Sequence, residues 1–218
     1  MRPFSLFAAL LVALAFAFGQ DRAPANTSAA PGSTEASLSR DRHEGLNVSV
    51  DPYTDTERAK KKFGKANPLS AGILPLEVSL RNELDQPIRI DLSTVQLEVR
   101  PPESKRQDID SLSAAEVAKL IVHPEGSKTP STRRFPPIGI PSSGDKKVDD
   151  MADILRPLAL DADIVPPMGM IHGFLFFNLS HEMTLAENAS LYMPNAMLVP
   201  SNKALMFFEV SLRTTSER

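Results

Sequence analysis

Residues 72–99 read GILPLEVSLRNELDQPIRIDLSTVQLEV, and this stretch decides the fold class. Leu76, Val78 and Leu80 alternate with Glu77, Ser79 and Arg81, while Ile88, Ile90 and Leu92 alternate with Arg89 and Asp91. Val95, Leu97 and Val99 alternate in turn with Gln96 and Glu98. A period of two puts successive side chains on opposite faces of an extended chain, so each run predicts a strand with one dry and one wet face. Asn82-Glu83-Leu84-Asp85-Gln86-Pro87 reads as a turn. The connections are too short for crossover helices, which predicts antiparallel rather than parallel pairing.

The same pattern recurs outward. Upstream, Leu46, Val48 and Val50 alternate with Asn47 and Ser49 before Asp51-Pro52 closes the run. Downstream, Met170 to Leu179 and Ala204 to Leu212 are apolar on both faces, as buried strands are, and Ala189 to Met193 predicts a shorter strand. Two helices interrupt the strands. Thr54-Asp55-Thr56-Glu57 has capping-box spacing and leads to Arg58–Phe63 and Gly64, and Ser113-Ala114-Ala115-Glu116 opens Ala114–Ile121. Asp150–Leu155 predicts one further helical turn, ended by Arg156-Pro157. About seven strands with two helical insertions predict a two-layer antiparallel β-sandwich.

Composition bounds the rest. The chain has 218 residues, 42% hydrophobic and 23% charged, enough apolar content for a core. It has no Cys, which removes disulfide scaffolds, thiolate metal sites and thiol nucleophiles. Residues 1–19 read as a signal peptide: Arg2 supplies a positive start, Leu6–Phe18 is apolar but too short to span a bilayer, and Ala17-Phe18-Gly19 supplies a cleavage site. Cleavage before Gln20 would leave no transmembrane segment, with 23 Lys+Arg against 27 Asp+Glu, a net charge of −4. A nucleic-acid partner is not expected, because phosphate neutralisation needs a basic surplus. The chain is expected to be exported, periplasmic or secreted.

Residues 20–45 are rich in Ala, Ser, Thr, Pro, Gly and charge and predict a disordered linker, about 28 Å root-mean-square in span. The folded domain is expected over 46–213, with 214–218 a tail. Within it, 124–150 carries five Pro together with Lys128, Arg133, Arg134, Lys146 and Lys147, and predicts a long flexible loop.

Gly72–Asn82 followed by Pro87-Ile88-Arg89-Ile90, and Val165-Pro166-Pro167-Met168-Gly169-Met170 through Phe177, resemble passages of bacterial extracytoplasmic immunoglobulin-like domains. The first is similar to their strand, Asn, turn, Pro, strand passage, and the second to their proline turn, glycine and aromatic strand. The resemblance implies an immunoglobulin-like sandwich acting as a non-enzymatic binding or assembly module. The core cysteines and tryptophan of antibody domains are absent, so no antibody-like role carries over.

The catalytic motifs searched for are missing from the sequence. His181-Glu182 and His43-Glu44 lack the second histidine of a helical zinc site, and no nucleophile elbow, phosphate loop or dinucleotide fingerprint occurs. No cofactor is expected. The acidic residues Asp149, Asp150, Asp153, Asp161 and Asp163 lack a calcium-loop pattern and read as caps and solvated turns. Lys60-Lys61-Lys62 reads as a solvated face, and the four Asn-x-Ser triplets at Asn26, Asn47, Asn178 and Asn188 are discounted.

Two candidate sites remain. In an extended strand Met168, Met170 and His172 share a face, and two thioethers with an imidazole suit Cu(I); Phe174 and Phe176 continue that face, so core packing is the stronger expectation. The other is Arg133-Arg134-Phe135 in the proline-rich loop, expected to contact another extracytoplasmic protein.

Overall fold

The computed structural model describes residues 39–101, 105–124 and 145–213, all within one compact unit. The fold is mainly β and antiparallel, with a few short helices. In chain order it comprises β1 (Ser39–His43), β2 (Leu46–Pro52), α1 (Thr56–Phe63), β3 (Ile73–Asn82), β4 (Ile88–Ile90), β5 (Gln96–Val99) and β6 (Gln107–Leu112). Then follow α2 (Ala114–Val122), α3 (Lys146–Leu155), β7 (Ile164–Val165), β8 (Met170–Asn178), β9 (Ala189–Met193), β10 (Ala196–Leu198) and β11 (Phe208–Ser211). No helix among the described residues is long and apolar enough to cross a membrane.

Eight strands form one sheet in the order β1-β2-β3-β8-β6-β5-β9-β11, and β10-β4-β7 form a second. Alternation is obeyed where it was legible: Leu74, Leu76, Val78 and Leu80 of β3 and Leu175 and Phe177 of β8 enter one core, shared with Leu97, Val99, Leu191, Phe208 and Val210. The opposite face of the same ladder feeds a second core. There Ile73, Phe174 and Phe176 pack under Phe63 of α1, Val117 and Ala118 of α2 and Ala152 and Leu155 of α3. Tyr53 and Phe63 meet the Phe174 ring edge-on at centroid separations of 5.0 and 4.8 Å.

The immunoglobulin-like sandwich expected from the sequence is met only at the level of an antiparallel, mainly-β fold. The long sheet curls until its two edges approach, giving a nearly closed, barrel-like shape. Side chains rather than a backbone ladder span the gap: Asp41 Oδ2 accepts the Glu209 N–H at 3.0 Å, Glu44 accepts the Met206 N–H, and His43 Nε2 lies 3.1 Å from the Phe207 carbonyl. His43 also stacks on Phe208 at 3.9 Å.

Several boundaries differ from the reading of the sequence, each for a local reason. The linker was expected to reach Gly45, yet Ser39–His43 pairs with β2 in full register, Ser39 opposite Val50 and His43 opposite Leu46. Its inward residues are polar because they cap the β11 edge. The Asn82–Pro87 turn is not a hairpin: β4 pairs with β10 and β7, so the chain passes from one sheet to the other there. Buried Asn82 ties down that passage, its Nδ2 donating to the carbonyls of Gln86 at 2.8 Å and Pro166 at 3.1 Å while its Oδ1 accepts the Leu84 N–H. The 124–150 loop was expected to include Lys146 and Lys147, which instead open α3, with Asp145 as N-cap accepting the Lys147 N–H at 3.0 Å. Of the apolar run 204–212 only Phe208–Ser211 is strand, and Met206 and Phe207 are exposed. In α1 the cap is Asp55 rather than Thr54, and in α2 the capping box sits at Ser113 and Glu116 as expected.

Gly173 of β8 stands opposite Val78, against the Ala159–Leu160 segment that precedes β7. A Cβ there would stand 2.7 Å from both Leu160 N and Leu160 Cα and 2.9 Å from the Ala159 carbonyl carbon, all backbone atoms that cannot rotate away. Gly173→Ala is therefore expected to lower stability by roughly 1–3 kcal/mol in urea denaturation, the usual cost of overpacking. An unchanged midpoint would contradict this packing.

Candidate functional site

The helices cover only part of the outer face of β1, β2, β3 and β8. Registers place Arg40, Ser49, Ser79 and His172 in one row across the four strands and Arg42, Asn47, Arg81 and Met170 in the next. The adjoining row, Asp51, Glu77 and Phe174, lies under α1. Arg58 of α1 pairs with Asp51, Lys62 pairs with Glu77 at 3.6 Å, and the Tyr53 hydroxyl donates to Glu77 at 2.9 Å. Arg58 also lies over the Tyr53 ring, 3.7 Å from its centroid. Hydrogen bonding to Asp51 holds the Arg58 guanidinium more firmly protonated than usual, and burial followed by the bond to Glu77 pushes the Tyr53 hydroxyl up.

The consequence is electrostatic. Asp51 and Glu77 of this face are paired beneath the helix, while Arg40 and Arg81 are left in the open. Arg40, Arg81 and His172 are exposed and have no ion pair among the described residues. Arg42 is held by Glu83, whose Oε2 accepts from Nη2 at 2.7 Å and Nε at 3.2 Å. Arg81 and His172 stand on strands whose reverse side is in the main core, whereas the reverse side of β1, behind Arg40 and Arg42, caps the seam with Asp41 and His43.

The structure does not set all three residues of the copper candidate on the strand face. Met170 and His172 stand on this uncovered face, but Met168 does not extend the strand: its φ is 51° and it sits in a turn closed by the Gly169 N–H bonding to the Pro166 carbonyl. Core packing, the stronger expectation, does not hold for them either. Met168 is 72% and Met170 55% exposed, and His172 is exposed too, whereas Phe174 and Phe176 lie beneath the helices. The face was read as continuous from the sequence; where helix cover ends was not legible there. Among the described residues no three His, Cys, Asp or Glu side chains converge as a metal site. His43 sits at the sheet seam, and His123 bridges the end of α2 to Asp145 at 2.9 Å. Arg133, Arg134 and Phe135 lie outside the described residues.

Elsewhere, a groove of about 620 Å³ is lined by residues including Pro52, Met183, Glu187, Leu212 and Arg213. A smaller one of about 390 Å³ adjoins it at Asn188 and Arg213 and runs past Arg100, Ser190, Glu209 and Ser211. Arg213 spans the junction by donating to Asn188 Oδ1 at 2.6 Å. Beside these grooves stands a residue that alternation placed on a wet face, Glu98, which is only 3% exposed. Arg106 covers it as its ion partner and also bonds Asp108 at 2.9 Å.

Burial pushes the Glu98 carboxyl up, an effect that Arg106 opposes and Glu209 and Asp108 reinforce. A carboxyl raised in the folded state contributes stability below the ordinary glutamate range, and that contribution is lost as pH rises through its folded value. Glu98→Gln, which mimics the protonated form, is therefore expected to gain stability relative to the parent chain between pH 4 and pH 7. Urea midpoints at the two pH values check this, and a relative loss over that interval would contradict it.

No protein family matches the chain, and no curated protein matches it. A solved structure of a functionally unknown protein from Listeria monocytogenes EGD-e aligns with 73% of this chain and 71% of its own length, at 16% identity and a TM-score of 0.33. So low a score carries nothing about fold or role.

Proposed function

We propose that this chain is an exported, non-enzymatic binding or assembly module of immunoglobulin-like kind, periplasmic or secreted. In this reading residues 1–19 are its leader, and it docks another extracytoplasmic protein through the uncovered outer face of β1, β2, β3 and β8. One observation carries the reading: Arg40 and Arg81, without ion partners among the described residues, stand with exposed His172 and Met170 on one face of a single paired sheet. Surface arginines on a rigid scaffold bind at low entropic cost, since little besides the side chain must be ordered. Arg133, Arg134 and Phe135 remain a second candidate contact, and because Lys146 begins α3, the deletion that tests them is Lys128–Gly144.

Affinity capture with the tagged, exported chain tests the reading. The double variant Arg40→Glu with Arg81→Glu is expected to lose most of the partner that the parent chain retains, without loss of thermal stability. Equal recovery of the same partners by both chains would overturn docking through this face.

A second reading is copper binding by Met168, Met170 and His172, favoured by the exposure of all three. In that case Cu(I) titrates stoichiometrically into metal-free protein and Met168→Ala weakens it at least about tenfold, since one of three ligands is lost. Absence of stoichiometric binding ends that reading.

A further inference from the structure

We propose that the outward face of β5, β9 and β11, with the grooves at its end, binds a neutral oligosaccharide. This site is separate from the docking face proposed above and does not depend on it.

The register builds the face. Leu97, Val99, Leu191, Phe208 and Val210 enter the main core, so alternation turns Gln96, Glu98, Ser190, Tyr192, Glu209 and Ser211 outward. Pairing sets Gln96, Tyr192 and Glu209 in one row and Glu98, Ser190 and Ser211 in the next. None of these three strands contributes to the core beneath the helices. β9 gives the face its axis: Tyr192 and Ser190 are separated by about 6.8 Å of strand. Ser190 lines the groove of about 390 Å³, and Asn188, just before the strand, lines both grooves. An elongated trough therefore runs from the aromatic Tyr192 to the junction at Asn188 and Arg213, a shape for several linked rings rather than one.

The aromatic head comes first in the argument. Phe207, 49% exposed, stands beside half-buried Tyr192 with ring centroids 5.6 Å apart and planes tilted by 47°. The negative π-faces of such rings attract the weakly positive C–H groups on the apolar side of a pyranose, and contact takes both apolar surfaces out of water. The Tyr192 hydroxyl has no hydrogen-bond partner among the described residues, leaving it free for a sugar hydroxyl.

Charge balance is the second argument. Three arginines, Arg100, Arg106 and Arg213, stand among four carboxylates, Glu98, Asp108, Asp110 and Glu209. So even a division favours neither a polyanion, which needs a basic surplus, nor a polycation. A neutral polyol needs donors and acceptors side by side, held in place. Arg106 is fixed by Glu98 and Asp108, Gln96 donates to Asp110 at 2.9 Å, and Arg213 donates to Asn188 at 2.6 Å. Each group keeps capacity to spare, since a guanidinium has roughly five N–H donors and a carboxylate about four lone-pair sites. A peptide is the poorer match, because β5 and β9 are paired on both sides and offer no free backbone to an added strand.

The test exploits composition. The chain has two tyrosines and no tryptophan, and Tyr53 is buried beneath α1, so a ligand-dependent change in tyrosine emission reports Tyr192. The full-length chain is titrated with maltohexaose, cellohexaose, mannohexaose and N-acetylchitohexaose, and affinities are measured by calorimetry. Saturable binding of at least one is expected, changed less than about twofold by 0.3 M salt because no net charge is matched. Tyr192→Ala should weaken it at least about tenfold and Phe207→Ala severalfold, both without loss of thermal stability, whereas Tyr192→Phe, which keeps the ring, should cost far less. Arg40→Glu with Arg81→Glu, on the other face, should leave sugar binding unchanged. Failure of all four sugars to bind, parental affinity in Tyr192→Ala, or tighter binding of heparin that salt abolishes would each overturn the inference.

Discussion

The antiparallel ladder between β3 and β8 is the constraint on which the rest depends. It runs without interruption from Ile73 opposite Asn178 to Arg81 opposite Met170. Its inward side chains, Leu74, Leu76, Val78, Leu80, Leu175 and Phe177, belong to the main core, and its outward Ile73, Phe174 and Phe176 belong to the helix-covered one. A slip of one residue would exchange the two faces, turning Glu77, Ser79 and Arg81 into the main core and Val78 and Leu80 out of it, so the register is tightly fixed. The uncovered cations follow from the same ladder. Where α1, α2 and α3 end, the outward positions pass from phenylalanine to Ser79, Arg81, Met170 and His172.

Closure of the sheet is managed differently at its seam. The edges β1 and β11 would each present unpaired backbone groups, which invite pairing with other chains. Here Asp41 and Glu44 satisfy backbone donors of the β11 side, and His43 stacks on Phe208 while meeting the Phe207 carbonyl. That arrangement dictates the composition of β1. Its odd positions must be polar to cap the seam and its even positions, Arg40 and Arg42, face solvent, so the strand has no hydrophobic alternation at all. The first strand of the fold and half of its cationic face are therefore a consequence of how the edge is closed.

The same logic explains what could be read from the sequence. β2, β3, β5 and β9 were legible because each has a core on one side and solvent or a partial cover on the other. β1 was not, being polar on both sides, and neither were the two- and three-residue strands β7 and β10. The end of α3 is legible at Asp150–Leu155, and its start carries a signal too: Val148, Met151, Ala152 and Leu155 recur at helical spacing behind the Asp145 cap, masked by the proline-rich run before them. Strand pairing was beyond reach, since β3 and β8 are joined across some ninety residues of intervening chain, and so was the face that pairing creates. Arg81 reads as an ordinary wet position, but Arg40 and Arg42 fall in the stretch that reads as linker, and His172 in one that reads as a strand apolar on both faces. Met168 was misread because Pro166, Pro167 and Gly169 turn the chain before the strand begins. Glu98 was read as solvated, and only the fold lays Arg106 over it.

The central claim is that the uncovered face of β1, β2, β3 and β8 is where this domain meets its partner. Backbone amide chemical shifts, followed while the partner recovered by affinity capture is titrated in, test it most directly. The account predicts that shifts concentrate in Arg40–Arg42, Asn47–Ser49, Ser79–Arg81 and Met170–His172. Shifts concentrated instead around Arg100, Asn188 and Arg213, at the grooves beside Glu98, would contradict it.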